Sequence, residues 1–133
     1  MKKKNKKTFP KKKKEFRFHK TEENIAAKKP FSKSHPAYVF IEKGNIYVYV
    51  TITHSNSVKD KFVIKLKKNP NPKDKREAYV VLEIKEDTKD RFGSRHKGWK
   101  MDEEDDEIIR KEFKNKKRWF CRSNYFDFSA LEN

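Results

Sequence analysis

The sequence holds 133 residues, which suits one small domain with tails better than two domains. Charged side chains make up 42% of it and hydrophobic ones 33%, but aromatics reach 14%, so the chain as a whole is not of the ring-poor, disordered class. Net charge is +16, and the one cysteine, Cys121, excludes an internal disulfide and has no C-x2-C partner, which fits a reducing, cytoplasmic setting.

The N-terminal third carries most of the charge. Residues 1–36 contain fourteen basic and three acidic side chains, against twenty-two and seventeen in residues 37–133. Lys2–Lys4, Lys6–Lys7 and Lys11–Lys14 repel one another, so residues 1–15 are expected to form a disordered basic arm ahead of a single domain over 16–133. Such an arm attracts polyanions by counterion release, a force with little sequence information, and nucleic acid is the leading partner. A merely solubilising lysine tract is the plainer alternative. Phe9, Phe16 and Phe18 are too scattered for an amphipathic membrane helix. No apolar run approaches the ~18 residues of a membrane span, and Met1–Lys14 lacks the apolar stretch of a secretory signal. No membrane contact is expected.

In chain order, Glu15–His19 offers a short first strand. Ala37–Glu42 and Ile46–Thr53 are β-branched and aromatic, and Gly44-Asn45 between them is a two-residue hairpin signal. Ile46–Thr53 is apolar or semi-apolar on both faces, which predicts a central strand of a small barrel. Lys61–Lys67 alternates Phe62, Ile64 and Leu66 with lysines and predicts a third strand. Asn69-Pro70-Asn71-Pro72 forbids helix and ladder, so 68–77 reads as an extended basic loop carrying Lys73, Lys75 and Arg76. Ala78–Lys85 predicts a fourth strand, and Asp87–Lys100 a second basic loop with Arg91, Arg95, His96, Lys97 and Trp99. Asp102–Lys116 predicts a helix, acidic in its first turn and basic in its last, with Ile108, Ile109 and Phe113 as its apolar stripe. Trp119–Phe128 is an aromatic, basic C-terminal segment, read as a last strand or an irregular stretch packed on the barrel.

The hairpin has a chemical consequence. A two-residue turn sets Lys43 opposite Ile46, so residues whose numbers sum to 89 face each other, and His35 faces His54. His35, Thr53, His54 and Ser55 then share one patch at the far end of the hairpin. Imidazoles near neutrality move protons, and hydroxyls donate to phosphate oxygens. That inventory fits RNA transesterification, where a base takes the 2′-OH proton, a donor steadies the phosphorane and an acid protonates the leaving 5′-oxygen. His35, His54, His96 and Cys121 have no metal-motif spacing, and neither metal nor cofactor is expected.

The segments Ser34–Phe40, Val50–Ser55, Phe62–Leu66 and Tyr79–Ile84, a loop with Asp87 and Arg91, and a C-terminal helix resemble MazF/PemK-type toxins over about residues 34–113. The resemblance implies an SH3-like antiparallel β-barrel with a C-terminal helix, a homodimer, metal-independent endoribonuclease activity on RNA, and an acidic antitoxin as partner. In the family a basic residue, usually arginine, precedes the proline that opens the second barrel strand; His35 stands there. The family's catalytic threonine or serine ends the next strand, and Thr53 matches it. The family's opening Gly-Asp strand and Gly-Ser-Glu-like loop have no counterpart in Lys14–Lys33.

The expected reading is therefore a cytoplasmic ribonuclease with His35, Thr53, His54 and Ser55 at its centre. Lys73, Lys75, Arg76, Arg91, Arg95, His96 and Lys97 would follow the RNA backbone, and bases would stack near Phe92, Trp99 or Trp119. Two alternatives share its features: a barrel that binds nucleic acid without cleaving it, and a module that docks an acidic protein.

Overall fold

The computed structural model describes residues 11–19, 35–58 and 61–126. Among the described residues the strands are β1 (Lys11–His19), β2 (Pro36–Lys43), β3 (Ile46–Thr53), β4 (Val63–Lys65), β5 (Tyr79–Val81), β6 (Glu83–Thr88), β7 (Phe92–Arg95) and β8 (Phe120–Cys121), with one α-helix, α1 (Glu103–Glu112). The fold is mainly β. One sheet runs β4-β5-β3-β2-β1-β7, and β6 also pairs with β3. Every pairing among these strands is antiparallel except that of β6 with β8.

The Gly44-Asn45 turn forms, with Gly44 at φ +53°, a left-handed conformation that glycine adopts without a Cβ penalty. Pairing then follows the expected sum of 89 for Lys43↔Ile46, Glu42↔Tyr47 and Ile41↔Val48. Beyond these the partners become Val39↔Tyr49, Tyr38↔Val50 and Ala37↔Thr51, leaving Phe40 bulged. Its ring packs near Phe113 and Phe126, with centroids 6.2 and 5.8 Å away. Tyr38, Phe40 and Ile41 all join the helix-side core, which strict alternation would not allow. Carried onward, the shifted register sets His35 against Thr53 rather than His54.

β3 is shared between two pairings on one edge. Ile46–Tyr49 pair with β6, and Ile52 and Thr53 pair with β5. The switch occurs at Leu82, fully buried, whose N–H donates to the Phe62 carbonyl while its own carbonyl accepts the Phe120 N–H. The single strand expected over 78–85 is therefore two. The strand expected over 61–67 is confined to Val63–Lys65.

Three further expectations change. Lys11–Glu15, assigned to the arm, are strand: Phe16 stacks on Tyr38 at 4.8 Å, while Arg17 bonds Glu15 at 2.6 Å and Lys13 approaches Glu42 at 3.4 Å. Residues 1–10 of that arm lie outside the described residues. The stretch expected as loop over 87–100 instead contains a 3-10 turn at Lys89–Arg91 and then β7, which returns to pair with β1. The helix ends at Glu112, where Trp119 folds back and its indole N–H donates to the Glu112 carbonyl at 3.0 Å. β8 and an irregular stretch to Phe126 follow, and residues 127–128 of the expected C-terminal segment lie outside the described residues.

The sheet has two unlike faces. On one, Phe16, Tyr38, Val48, Val50, Ile52, Leu82 and Ile84 pack with Ile109 and Phe113 of α1. On the other, Ala37, Val39, Tyr47 and Tyr49 join Phe92 in a second, small cluster. Among the described residues no helix is long and apolar enough to cross a membrane, which says nothing of β-barrel insertion.

α1 is capped by Asp102, whose carboxylate accepts the Glu104 N–H at 3.2 Å. Asp105, 1% exposed, reaches outward from the first turn to accept the backbone N–H groups of Lys67 at 2.8 Å and Lys68 at 3.1 Å. This carboxylate pins the helix to the β4–β5 loop. Asp105→Ala leaves two part-buried donors unpaired and is expected to lower the unfolding free energy by about 2–4 kcal/mol in denaturant titration. A loss below ~1 kcal/mol would show that water replaces the carboxylate.

Candidate functional site

Side chains alternate along a strand, so the second face can be read from register. Tyr47, Tyr49 and Thr51 of β3 share it with Ala37 and Val39 of β2 and with Glu83, Lys85 and Asp87 of β6. His35, exposed just ahead of β2, continues the row of Ala37 and Val39, and Thr53 continues that of β3. Polar groups thus gather on the face opposite α1.

At one end Asp87 accepts a 2.6 Å hydrogen bond from the Tyr49 hydroxyl and a 2.9 Å one from His19 Nε2. Tyr49 and the His19 ring also lie within hydrogen-bond distance, 3.1 Å. Burial and the Asp87 hydrogen bond push the phenol far above its ordinary value. Burial alone would raise Asp87, but the hydrogen bonds from His19 and Tyr49, with the charges of His19 and Arg91, hold it below the usual carboxylate value.

At the other end stand three of the four residues expected to be catalytic. His35 is held below the ordinary imidazole value of 6.5 by loss of hydration, then by the nearby charges of His54 and Lys85. The shift favours its neutral form. His54 is exposed, and its ring is fixed twice: Nδ1 lies 2.9 Å from the Glu77 carbonyl and Nε2 3.4 Å from Asp74 Oδ2. A carbonyl only accepts, so Nδ1 bears hydrogen, and Nε2 faces Asp74. Asp74 is itself clamped by Arg76, whose Nε and Nη2 donate at 3.0 and 2.8 Å and whose backbone N–H adds a third bond. These bonds hold the carboxyl well below the usual range.

Thr53 is 7% exposed, and its hydroxyl oxygen accepts the Ser55 N–H at 3.2 Å. Ser55, the fourth, is exposed but engaged with Ser57, donating to its carbonyl at 2.9 Å and accepting its N–H. Both hydroxyls shape the 53–57 turn that presents His54.

The expected nucleic-acid contacts divide. Lys73, Lys75 and Arg76 are exposed on the loop that holds His54, though Arg76 is partly spent on Asp74. Arg91 is half-buried beside Asp87. Arg95 and Lys97 are exposed, Arg95 opposite Arg17 of β1. His96 stacks on Trp99 with centroids 4.1 Å apart, and Trp99 also leans on Phe16 at 5.6 Å. Phe92 and Trp119 are 7% and 8% exposed, so they are core residues and not platforms for bases. In a chain with few aliphatic side chains, rings are needed to fill the interior.

Sequence reasoning missed Asp74 and Lys85. Lys85 sits 3.5 Å from the buried Glu83 carboxylate, which also takes Arg122 at 2.7 Å and Lys61 at 3.7 Å. Period-two alternation in Leu82–Thr88 would have placed Glu83, Lys85 and Asp87 on one face, but not which strand lies beside them. Among the described residues no group of three His, Cys, Asp or Glu side chains is arranged to hold a metal ion. No family model, curated protein or solved structure matches this chain.

The coupling of the two histidines is open to measurement. His35 is expected to titrate below 6.5 in an NMR pH series, and His54→Ala to raise its midpoint by removing a neighbouring positive charge. An unchanged midpoint would separate the two rings.

Proposed function

We propose that the chain is a MazF/PemK-like toxin, an endoribonuclease that cleaves single-stranded RNA by attack of the 2′-OH on the adjacent phosphorus without a metal ion. The observation that carries this reading is the unequal pair His35 and His54 with Lys85 close by: one ring held below the ordinary imidazole value, the other anchored through Nδ1 with Nε2 turned toward Asp74. The expected SH3-like barrel belongs to the same proposal. It is supported by a strand order of β7-β1-β2-β3-β6, with a 3-10 turn between β6 and β7.

In this reading His35 accepts the 2′-OH proton as the 2′-oxygen bonds to phosphorus. Lys85 steadies the charge on the phosphorane. The bond to the 5′-oxygen breaks as His54 gives that oxygen its Nε2 proton, leaving a 2′,3′-cyclic phosphate and a 5′-hydroxyl. Asp74 and the Glu77 carbonyl orient His54, which is the role of the third group in other acid–base constellations. Thr53, largely buried, holds the turn rather than touching phosphate. The same cationic face would accept an acidic antitoxin, which would inhibit by occupying it, and a second copy of the chain would complete the homodimer.

The test is incubation of end-labelled RNA with purified protein in EDTA. Discrete cleavage is expected, with the rate falling roughly 10²–10⁴-fold in His35→Ala and His54→Ala and about 10²-fold in Lys85→Ala. Because the His35 base form persists below pH 6.5, the acid limb of the rate profile is expected below that value. RNA that is retarded in a gel yet intact would make the chain a binding module instead.

A further inference from the structure

Three large hydrophobic side chains stand exposed among the described residues: Phe62 at 52%, Phe120 at 44% and Tyr125 at 38%. Arg118 already lies over the Phe62 ring, 4.9 Å from its centroid. Phe120 is placed differently. β8 runs parallel to β6 with Phe120 beside Glu83, and neighbouring strands in register point their side chains to the same face. Phe120 therefore lies on the face that carries Lys85, Thr51 and His35.

The ground between them is cationic. Arg122, 67% exposed in its side chain, Lys61 and Lys85 all converge on the one Glu83 carboxylate, so a single buried negative charge serves three positive ones. Residues 113–126 contain five lysines and arginines and no acidic residue. From β2 across β3 and β6 to β8 is three strand spacings, about 14 Å, the reach of a few nucleotides.

We infer that Phe120 is a stacking platform for an RNA base next to the cleavage site, with Arg122 and Lys61 holding the phosphates that lead to it. The inference rests on the ribonuclease reading for its substrate, and it names the part of the surface that substrate crosses. An exposed ring surrounded by surplus cations matches a polyanion that also carries flat apolar groups, and single-stranded nucleic acid is that ligand. Phosphate contacts give affinity with no base dependence, whereas the ring adds a component that vanishes when the base is removed.

That difference is the test. Binding of a 2′-O-methyl oligoribonucleotide, which cannot be cleaved through its 2′-oxygen, is measured by fluorescence anisotropy beside the same strand with abasic positions. Phe120→Ala is expected to weaken the base-bearing strand about tenfold, as loss of one stacked base does, and to leave the abasic strand within about twofold. Arg122→Gln is expected to weaken both strands alike. Equal losses for the two strands in Phe120→Ala, or none, would overturn the inference. So would a dimer in light scattering that Phe120→Ala converts to monomer without a base-selective loss, since the ring would then face a second copy. If the parent leaves RNA intact but the base-selective loss is seen, the ribonuclease reading fails and this platform stands. Cleavage by the parent with no base-selective loss gives the reverse.

Discussion

β3 is hydrogen-bonded on both edges, to β2 along one and to β6 and then β5 along the other, so its alternate residues must serve two surfaces at once. Val48, Val50 and Ile52 enter the helix-side core; Tyr47, Tyr49 and Thr51 cannot follow them and form the opposite face. A one-residue slip would exchange these sets and expel the valines. The bulge at Phe40 relieves the strand beside it of the same strictness. It lets Phe40 and Ile41 both reach the core and moves the end of β2 by one place, bringing His35 level with Thr53.

The opposite face shows how a strongly basic chain tolerates a lysine-rich strand. Glu15 and Glu42 sit between cations from β1 and from the turn after β6: Arg17 and Lys13 bond Glu15, while Lys13 and Lys89 bond Glu42. The same Lys13, Arg17 and Lys89 lie 5.3–5.5 Å from the Tyr47 ring centroid. Each of these surface pairs contributes little alone. Together with the aromatic quadrupole they let three cations share one small area without the repulsion that a reading of the lysines alone would assign them. Glu83 does the same for Lys61, Lys85 and Arg122.

The elements that were legible in sequence are those fixed by neighbours along the chain. The Gly44-Asn45 hairpin, β3 to its exact ends, and the acid-to-base gradient of α1 depend on local chemistry. β7 was not legible because its status as a strand comes from β1, more than seventy positions away. Lys85 escaped for a similar reason: its neighbour Tyr49 is set by strand order, not by spacing. Phe92 and Trp119 were misjudged because a ring beside basic residues looks the same in sequence whether it fills a core or faces solvent. His35 and His54 were found as neighbours by a register that is off by one, since a slip of one place at the strand end still leaves them in the same patch.

The two polar clusters of this face differ in what their protons can do. Tyr49 is 2% exposed and donates a short hydrogen bond to Asp87, and both burial and that bond oppose its ionisation. His19 is turned toward the same carboxylate oxygen. That cluster ties the end of β1 to β3 and β6, and its protons are committed to keeping it closed. His35 and His54 are exposed, and the environment separates them: His35 is biased toward its neutral form by lost hydration and adjacent positive charge, while Asp74 and a backbone carbonyl orient His54. Reactions that move protons need donors and acceptors whose states differ near neutral pH and whose atoms meet solvent. On this face exposed imidazoles lie at the His35 end, beyond the last hydrogen-bonded residues of the hairpin, where the chain leaves the sheet and side chains are no longer required to pack.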